Sequence, residues 1–144
     1  MTKKRHVSDI IGGKKPLAVR PEETVREAAR RMAERNVACV LVTDANQKLL
    51  GIFTERDMLR RVVVEGRDPA ATPISTVMTT ELRVVVPETN AIEAMRFMLD
   101  GHVRHLPVAV NGQAVGVVSL RDFLGTEMEE IRQELDRRER LWES

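Results

Sequence analysis

The chain repeats itself. PEETVREAARRMAERNVACVLV, starting at Pro21, realigns with PETNAIEAMRFMLDGHVRHLPV, starting at Pro87, 66 positions further on. Identical pairs are Pro21/Pro87, Glu22/Glu88, Glu27/Glu93, Ala28/Ala94, Arg30/Arg96, Met32/Met98, Val37/Val103 and Val42/Val108. Past the next turn the spacing is 65, and GIFTERDML (Gly51 to Leu59) meets GVVSLRDFL (Gly116 to Leu124). A turn tolerates the loss of one residue. A period this long is not that of a solenoid; a small folding unit has been duplicated.

Both copies carry the same succession of local signals. A short apolar strand comes first, Leu17 to Val19 and Arg83 to Val86. Pro-Glu then leads into a helix whose start has the capping-box spacing, Thr24 with Glu27 and Asn90 with Glu93. Val25, Ala28, Ala29, Met32 and Ala33 form one apolar stripe, and Ala91, Ala94, Met95, Met98 and Leu99 the other. A second strand is expected over 37–42 and 103–110, and a third over 49–53 and 114–118, joined by turns at Asp44–Asn46 and Asn111–Gly112. Thr54 and Ser119, both good N-caps, open a last helix.

The fold class expected is α+β: two β-α-β-β-α units, each a small sheet with helices on one face. One such unit has too small a core to stand alone, so the two should pack together. The expected layout is unit one over 1–62, a Gly- and Pro-broken linker over 63–72, unit two over 73–124 and a helical tail over 125–144.

Composition removes several classes of function. Lys and Arg number 23 against 22 Asp and Glu, which leaves no broad positive footprint for nucleic acid or an anionic membrane. Three Phe, one Trp and no Tyr offer no base-stacking platform. The single cysteine, Cys39, excludes an intramolecular disulfide and a cysteine-cluster zinc site; within VACVLV it reads as a small buried hydrophobe. No apolar run approaches the length of a membrane span, and no apolar segment follows the basic start MTKKRHV, so a cytoplasmic protein is expected. His6, His102 and His105 do not form a metal-binding spacing, and no nucleophile–base constellation with recognisable context is present. Gly12-Gly13-Lys14-Lys15 lacks the phosphate-loop pattern and reads as a flexible turn, although either lysine could reach a neighbouring phosphate.

The most specific signal is Gly-x-x-[Thr/Ser]-x-x-Asp at each strand-to-helix junction: Gly51, Thr54 and Asp57, then Gly116, Ser119 and Asp122. A hydroxyl at a helix N-cap lies beside free backbone N–H groups and the positive end of the helix dipole, which suits a phosphate. A carboxylate one turn on can accept two hydrogen bonds from a vicinal diol. The pair therefore suits a ribose phosphate. The same residues also serve as plain helix caps, and duplication copies caps as readily as sites.

With VSDII and ISTVM at the unit starts, V-x-P-E before each helix, VRHLPV and the twin Gly-x-x-[Thr/Ser]-x-x-Asp, the chain resembles a tandem pair of cystathionine-β-synthase (CBS) domains, a stand-alone Bateman module. The resemblance covers roughly Val7 to Leu124. It implies two units packed sheet to sheet about a pseudo-two-fold axis, leaving two related clefts that bind adenine nucleotides or adenosyl ligands. It implies that one cleft joins Ser119 and Asp122, on phosphate and ribose, to an adenine wall of Leu17, Ala18, Val37 and Ala38. The other would join Thr54 and Asp57 to Val84, Val103 and Arg104. Arg104 and His105 lie where the family places basic residues near ligand phosphates, although the pleat would turn them to opposite faces.

The function expected is a non-catalytic sensor of AMP, ADP, ATP or an NAD-like dinucleotide, with no further cofactor, that forms a homodimer and passes occupancy to an effector protein. A ligand-independent dimeric scaffold is the alternative. In the tail, Met128, Ile131, Leu135 and Trp142 make a narrow apolar stripe interrupted by Arg138, and Glu134–Arg138 and Asp136–Arg140 are spaced for ion pairs. Such a polar helix is marginal alone and is expected to dock, on its own core or on a partner.

Overall fold

The computed structural model describes residues 4–143, with side chains through Leu141. Its elements in chain order are α1 (Val7–Ile11), β1 (Ala18–Val19), α2 (Val25–Arg35), β2 (Cys39–Thr43), β3 (Leu49–Thr54), α3 (Glu55–Asp57), α4 (Ala91–Gly101), β4 (His105–Val110), β5 (Gln113–Ser119) and α5 (Gly125–Glu143). The expected α+β architecture of two related units and a C-terminal helix is present. In the first unit β1 runs parallel to β2, and β2 antiparallel to β3. In the second, β4 and β5 form a hairpin. Each unit has its own core: Val19, Val25, Ala28, Met32, Val40, Val42 and Phe53 in the first; Val85, Ala91, Ala94, Met98, Leu106, Val108 and Val118 in the second.

The helix starts differ in detail from the expected capping boxes. Thr24 Oγ1 accepts from Glu27 N at 3.2 Å, but the Glu27 carboxylate turns to Arg30 instead of back to the cap. Asn90 Oδ1 accepts from Ile92 N at 2.9 Å, one residue earlier than expected. On the apolar stripes Val25, Ala28 and Met32 are buried, as are Ala91, Ala94, Met95 and Met98, whereas Ala33 and Leu99 are exposed.

Two expected elements are corrected. The strand over 83–86 reduces to one parallel bridge, Val85 to Val108. In the first unit Leu41 N donates to Leu17 O at 2.9 Å, extending β1; the matching position in the second unit is Pro107, which has no N–H to give. Likewise, Ser119 opens only a 3-10 turn, Leu120–Asp122. Phe123 then turns extended, and the long helix starts afresh at Gly125. Thr54, by contrast, caps a continuous helix that widens after Asp57 into a π-type turn over Met58–Val63.

The segment leading into each unit docks on the other unit. Val7 N and Ser8 N donate to Thr89 O and Pro87 O. Sixty-seven residues on, Ile74 N and Ser75 N donate to Glu23 O and Pro21 O. The repeat in sequence and the packed body are thus offset. The motif glycines have a cause here: a Cβ on Gly51 would meet Met78 Sδ at 2.6 Å, and one on Gly116 would meet Ile11 at 3.0 Å. The two sheets are joined by Leu49 N to Gly112 O and Ala114 N to Gln47 O. Between them lies a small apolar layer of Cys39, Leu41, Ile52, Leu82 and Val117.

Helix α5 lies on the second unit. Ile131 is buried, while Met128 and Leu135 are exposed; the Trp142 position of the stripe lies outside the described side chains. Arg96 grips Glu134 through two hydrogen bonds of 3.0 and 2.8 Å. Arg138 approaches Glu134 at 3.9 Å, but Asp136 pairs with Arg132 and not with Arg140.

Candidate functional site

The offset packing brings the strand start of each unit against the hydroxyl-and-carboxylate turn of the other, and a cleft opens at each meeting. The narrow cleft, about 170 Å³, is lined by Leu17, Val37, Ala38, Ile11 and Val117 on its apolar side, with Ser119, Asp122 and His105 opposite. Lys14, Lys15, Arg35 and Arg121 surround it. The wide cleft, about 1080 Å³, brings together Thr54, Asp57, Val103, Arg104 and His105, with Arg56 and Arg121 at its rim and Leu59, Phe123 and Met128 as apolar lining. Ala18 and Val84 line neither cleft. Ala18 lies between Leu17 and Val19 on the pleat, paired with Leu41. Val84 is left exposed on the edge where the second unit has only one bridge.

The two turns are alike in backbone and different in what their carboxylates hold. At the wide cleft Asp57 Oδ2 accepts from Thr54 N at 3.0 Å and from Thr54 Oγ1 at 3.2 Å. Its other oxygen accepts from Thr79 Oγ1 at 3.1 Å, so both are engaged. At the narrow cleft Asp122 Oδ2 accepts from Ser119 N at 2.7 Å, and among the described residues nothing donates to Oδ1. The lead-in residue matching Thr79 is Gly12, which has no side chain to offer. The narrow cleft therefore combines in its lining a carboxylate with an unused acceptor, several apolar residues and four cations.

His105 lines both clefts, and Arg104 lines the wide one only. Burial first, and then Arg121, hold the His105 imidazole below its ordinary pKa, which favours its neutral form. Burial pushes the Cys39 thiol up to about 12, so it is an inert wall atom. Sequence reasoning missed Arg35, Arg56 and Arg121. A signal for two of them existed: arginine immediately precedes the motif aspartate in both copies, TERD and SLRD. Among the described residues no cluster of His, Cys, Asp and Glu could hold a metal ion.

A family profile described as CBS domain matches residues 7–64 and 74–129. The chain is 38% identical over 120 residues to a mitochondrial CBS domain-containing protein of Arabidopsis thaliana, covering 81% of this chain and 58% of that protein. It spans only 20% of a second CBS domain-containing protein of the same plant, at 41% identity. An uncharacterized 17.7 kDa protein of Acidianus ambivalens is 35% identical over 78% of this chain and 68% of its own length. Among solved structures, a protein with CBS domains from Burkholderia ambifaria superimposes with a TM-score of 0.76 at 34% identity, covering 81% of this chain and 89% of that one. A CBS domain protein from Pyrobaculum aerophilum, complexed with AMP, does so with a TM-score of 0.79 at 25% identity, over 89% and 98%.

Proposed function

This chain belongs to the CBS-domain family, and from that premise we propose that it is a non-catalytic regulatory module whose clefts bind an adenine nucleotide or related adenosyl ligand. The observation that carries this reading is that Asp122, whose Oδ1 accepts no hydrogen bond among the described residues, lines one cleft with apolar residues of the other unit and with Lys14, Lys15, Arg35 and Arg121. An adenine ring suits the wall, a ribose diol the carboxylate, and phosphates the cations. The AMP complex of the Pyrobaculum aerophilum protein supports the ligand class. At about 170 Å³ the narrow cleft is smaller than a usual small-molecule site, roughly 300 Å³ and above, so a nucleotide enters it by moving the exposed Lys14, Lys15 and Arg35 side chains outward. The wide cleft has room as it stands.

Passing occupancy to a partner belongs to the same proposal, as do a cytoplasmic setting and a homodimer. Support for the homodimer is the apolar surface that α5 and its surroundings leave open, Leu124, Met128 and Leu135 being 49%, 51% and 41% exposed. One observation favours the scaffold reading for the wide cleft: both Asp57 oxygens already accept hydrogen bonds, one from the Thr54 cap and the other from Thr79.

The test is a thermal-shift panel of adenosine, AMP, ADP, ATP, NAD and S-adenosylmethionine over a concentration series. A rise following mass action for one adenosyl ligand is expected, and D122N should remove most of it. A flat panel to millimolar levels overturns the sensor reading in favour of the scaffold.

A further inference from the structure

The two clefts share part of their walls. Ala38, His105, Ser119 and Arg121 line both of them. Of these only Arg121 is a permanent charge, since burial and Arg121 itself hold the His105 imidazole toward neutrality. The Arg121 guanidinium makes one long hydrogen bond, 3.4 Å to the carbonyl of Asn36, and has no carboxylate in ion-pair contact among the described residues. It is an exposed, unspent cation at the junction.

The charges lining each cleft show what it is worth there. Among the residues lining the wide cleft, Arg56, Arg104 and Arg121 outnumber Glu55 and Asp57 by one, so without Arg121 the lining charges cancel. The narrow cleft holds Lys14, Lys15 and Arg35 besides Arg121, against Asp122 alone. A guanidinium binds a phosphate through a planar two-pronged fork, and one fork cannot serve two phosphates at full strength.

Resting on the nucleotide-binding reading above, we propose that Arg121 is a counter-charge shared by the two clefts: the first phosphate bound in either one takes it, and the second binds without it. The clefts are then negatively coupled. Because such coupling is reciprocal, it does not matter which fills first.

The experiment is calorimetric titration of the whole chain with AMP and, separately, with inorganic pyrophosphate, for wild type, R121A and R121K. Two unequal binding steps are expected for wild type. R121A should weaken the first step by about tenfold, the size of one charge-assisted contact, and leave the second unchanged. R121K should restore part of the first step. A single AMP per chain, equal weakening of both steps, or no change in either overturns the shared charge. If pyrophosphate shows the expected pattern and AMP binds nowhere, the shared charge stands and the adenosyl reading falls. If neither probe binds, both fall.

Discussion

The two units share a sequence pattern and close their sheets differently. The first holds three strands because Leu41 N bonds to Leu17 O; the second has a hairpin and one bridge because Pro107 stands where that donor should be. What the second unit lacks in sheet it gains in helix. α5 covers it with Ile131, while Arg96–Glu134 and Arg5–Glu127 fasten the helix down. The clefts diverge by an equally small cause, a threonine in one lead-in segment and a glycine in the other. Duplication repeats the frame, and single residues then make the copies unequal.

The largest effect should come from giving the first unit the second unit's residue. Leu41 is fully buried. L41P removes its N–H, strands the Leu17 carbonyl and reshapes a packed side chain, at a cost of about 3 kcal/mol or more. Urea unfolding should show the midpoint falling accordingly. A loss under about 1 kcal/mol would mean that β1 is held by packing alone and that Pro107 does not explain the missing strand.

The helical support of the second unit comes next. Arg5 Nη2 and Nε donate to Glu127 at 2.7 and 3.1 Å, and Nη2 also reaches the Asp122 carbonyl. R5A should cost about 2 kcal/mol. The Arg5 hydrogen bond holds the Glu127 carboxyl below its ordinary 4.5. A carboxyl lowered in the folded state adds stability that is complete above its unfolded value and lost as pH falls through the folded one. The gap in melting temperature between wild type and R5A should therefore be widest near about pH 6 and shrink toward about pH 3. A gap constant over that range would deny the ion pair its role.

How much of this was legible in the sequence depends on which force fixed the feature. The repeat, the helices and the meeting of Thr54/Asp57 and Ser119/Asp122 with the opposite strand starts follow from periodicity, caps and family likeness. The lost strand at Val84 was legible in principle, since Pro107 is visible, but only once its position is placed opposite a partner strand. The short turn after Ser119 was not, because its break at Phe123 serves the docking of α5, a tertiary demand that local propensity does not carry. The cations Arg35 and Arg121 reach the narrow cleft from segments far apart in the chain, so no linear motif joins them.

The motif glycines test how tightly each lead-in segment is clasped. At Gly51 an added Cβ would press on Met78 Sδ and, at 3.0 Å, on the Thr79 carbonyl, which is itself held by Ile52 N. At Gly116 the nearest atoms, from 3.0 Å, all belong to the Ile11 side chain. G51A should cost about 1.5 kcal/mol and G116A about 1 kcal/mol or less. The reverse order in thermal melts would place the tighter clasp at α1.

The finest of these differences is also the one closest to function. Thr79 Oγ1 occupies the Asp57 oxygen whose counterpart on Asp122 is unused. T79V keeps the shape and the backbone bonds between Thr79 and Ile52, and removes only the hydroxyl. The Asp57 side chain keeps only 13% exposure, enough for a water to replace that donor, so stability should fall by about 0.5 kcal/mol. With Asp57 released, the wide cleft acquires the acceptor that distinguishes the narrow one. AMP binding in the wide cleft should then tighten by a few-fold, read by calorimetry as a smaller gap between the two steps. If stability falls as expected and the gap does not move, Asp57 is a helix cap and nothing more, and the narrow cleft alone carries the ribose contact.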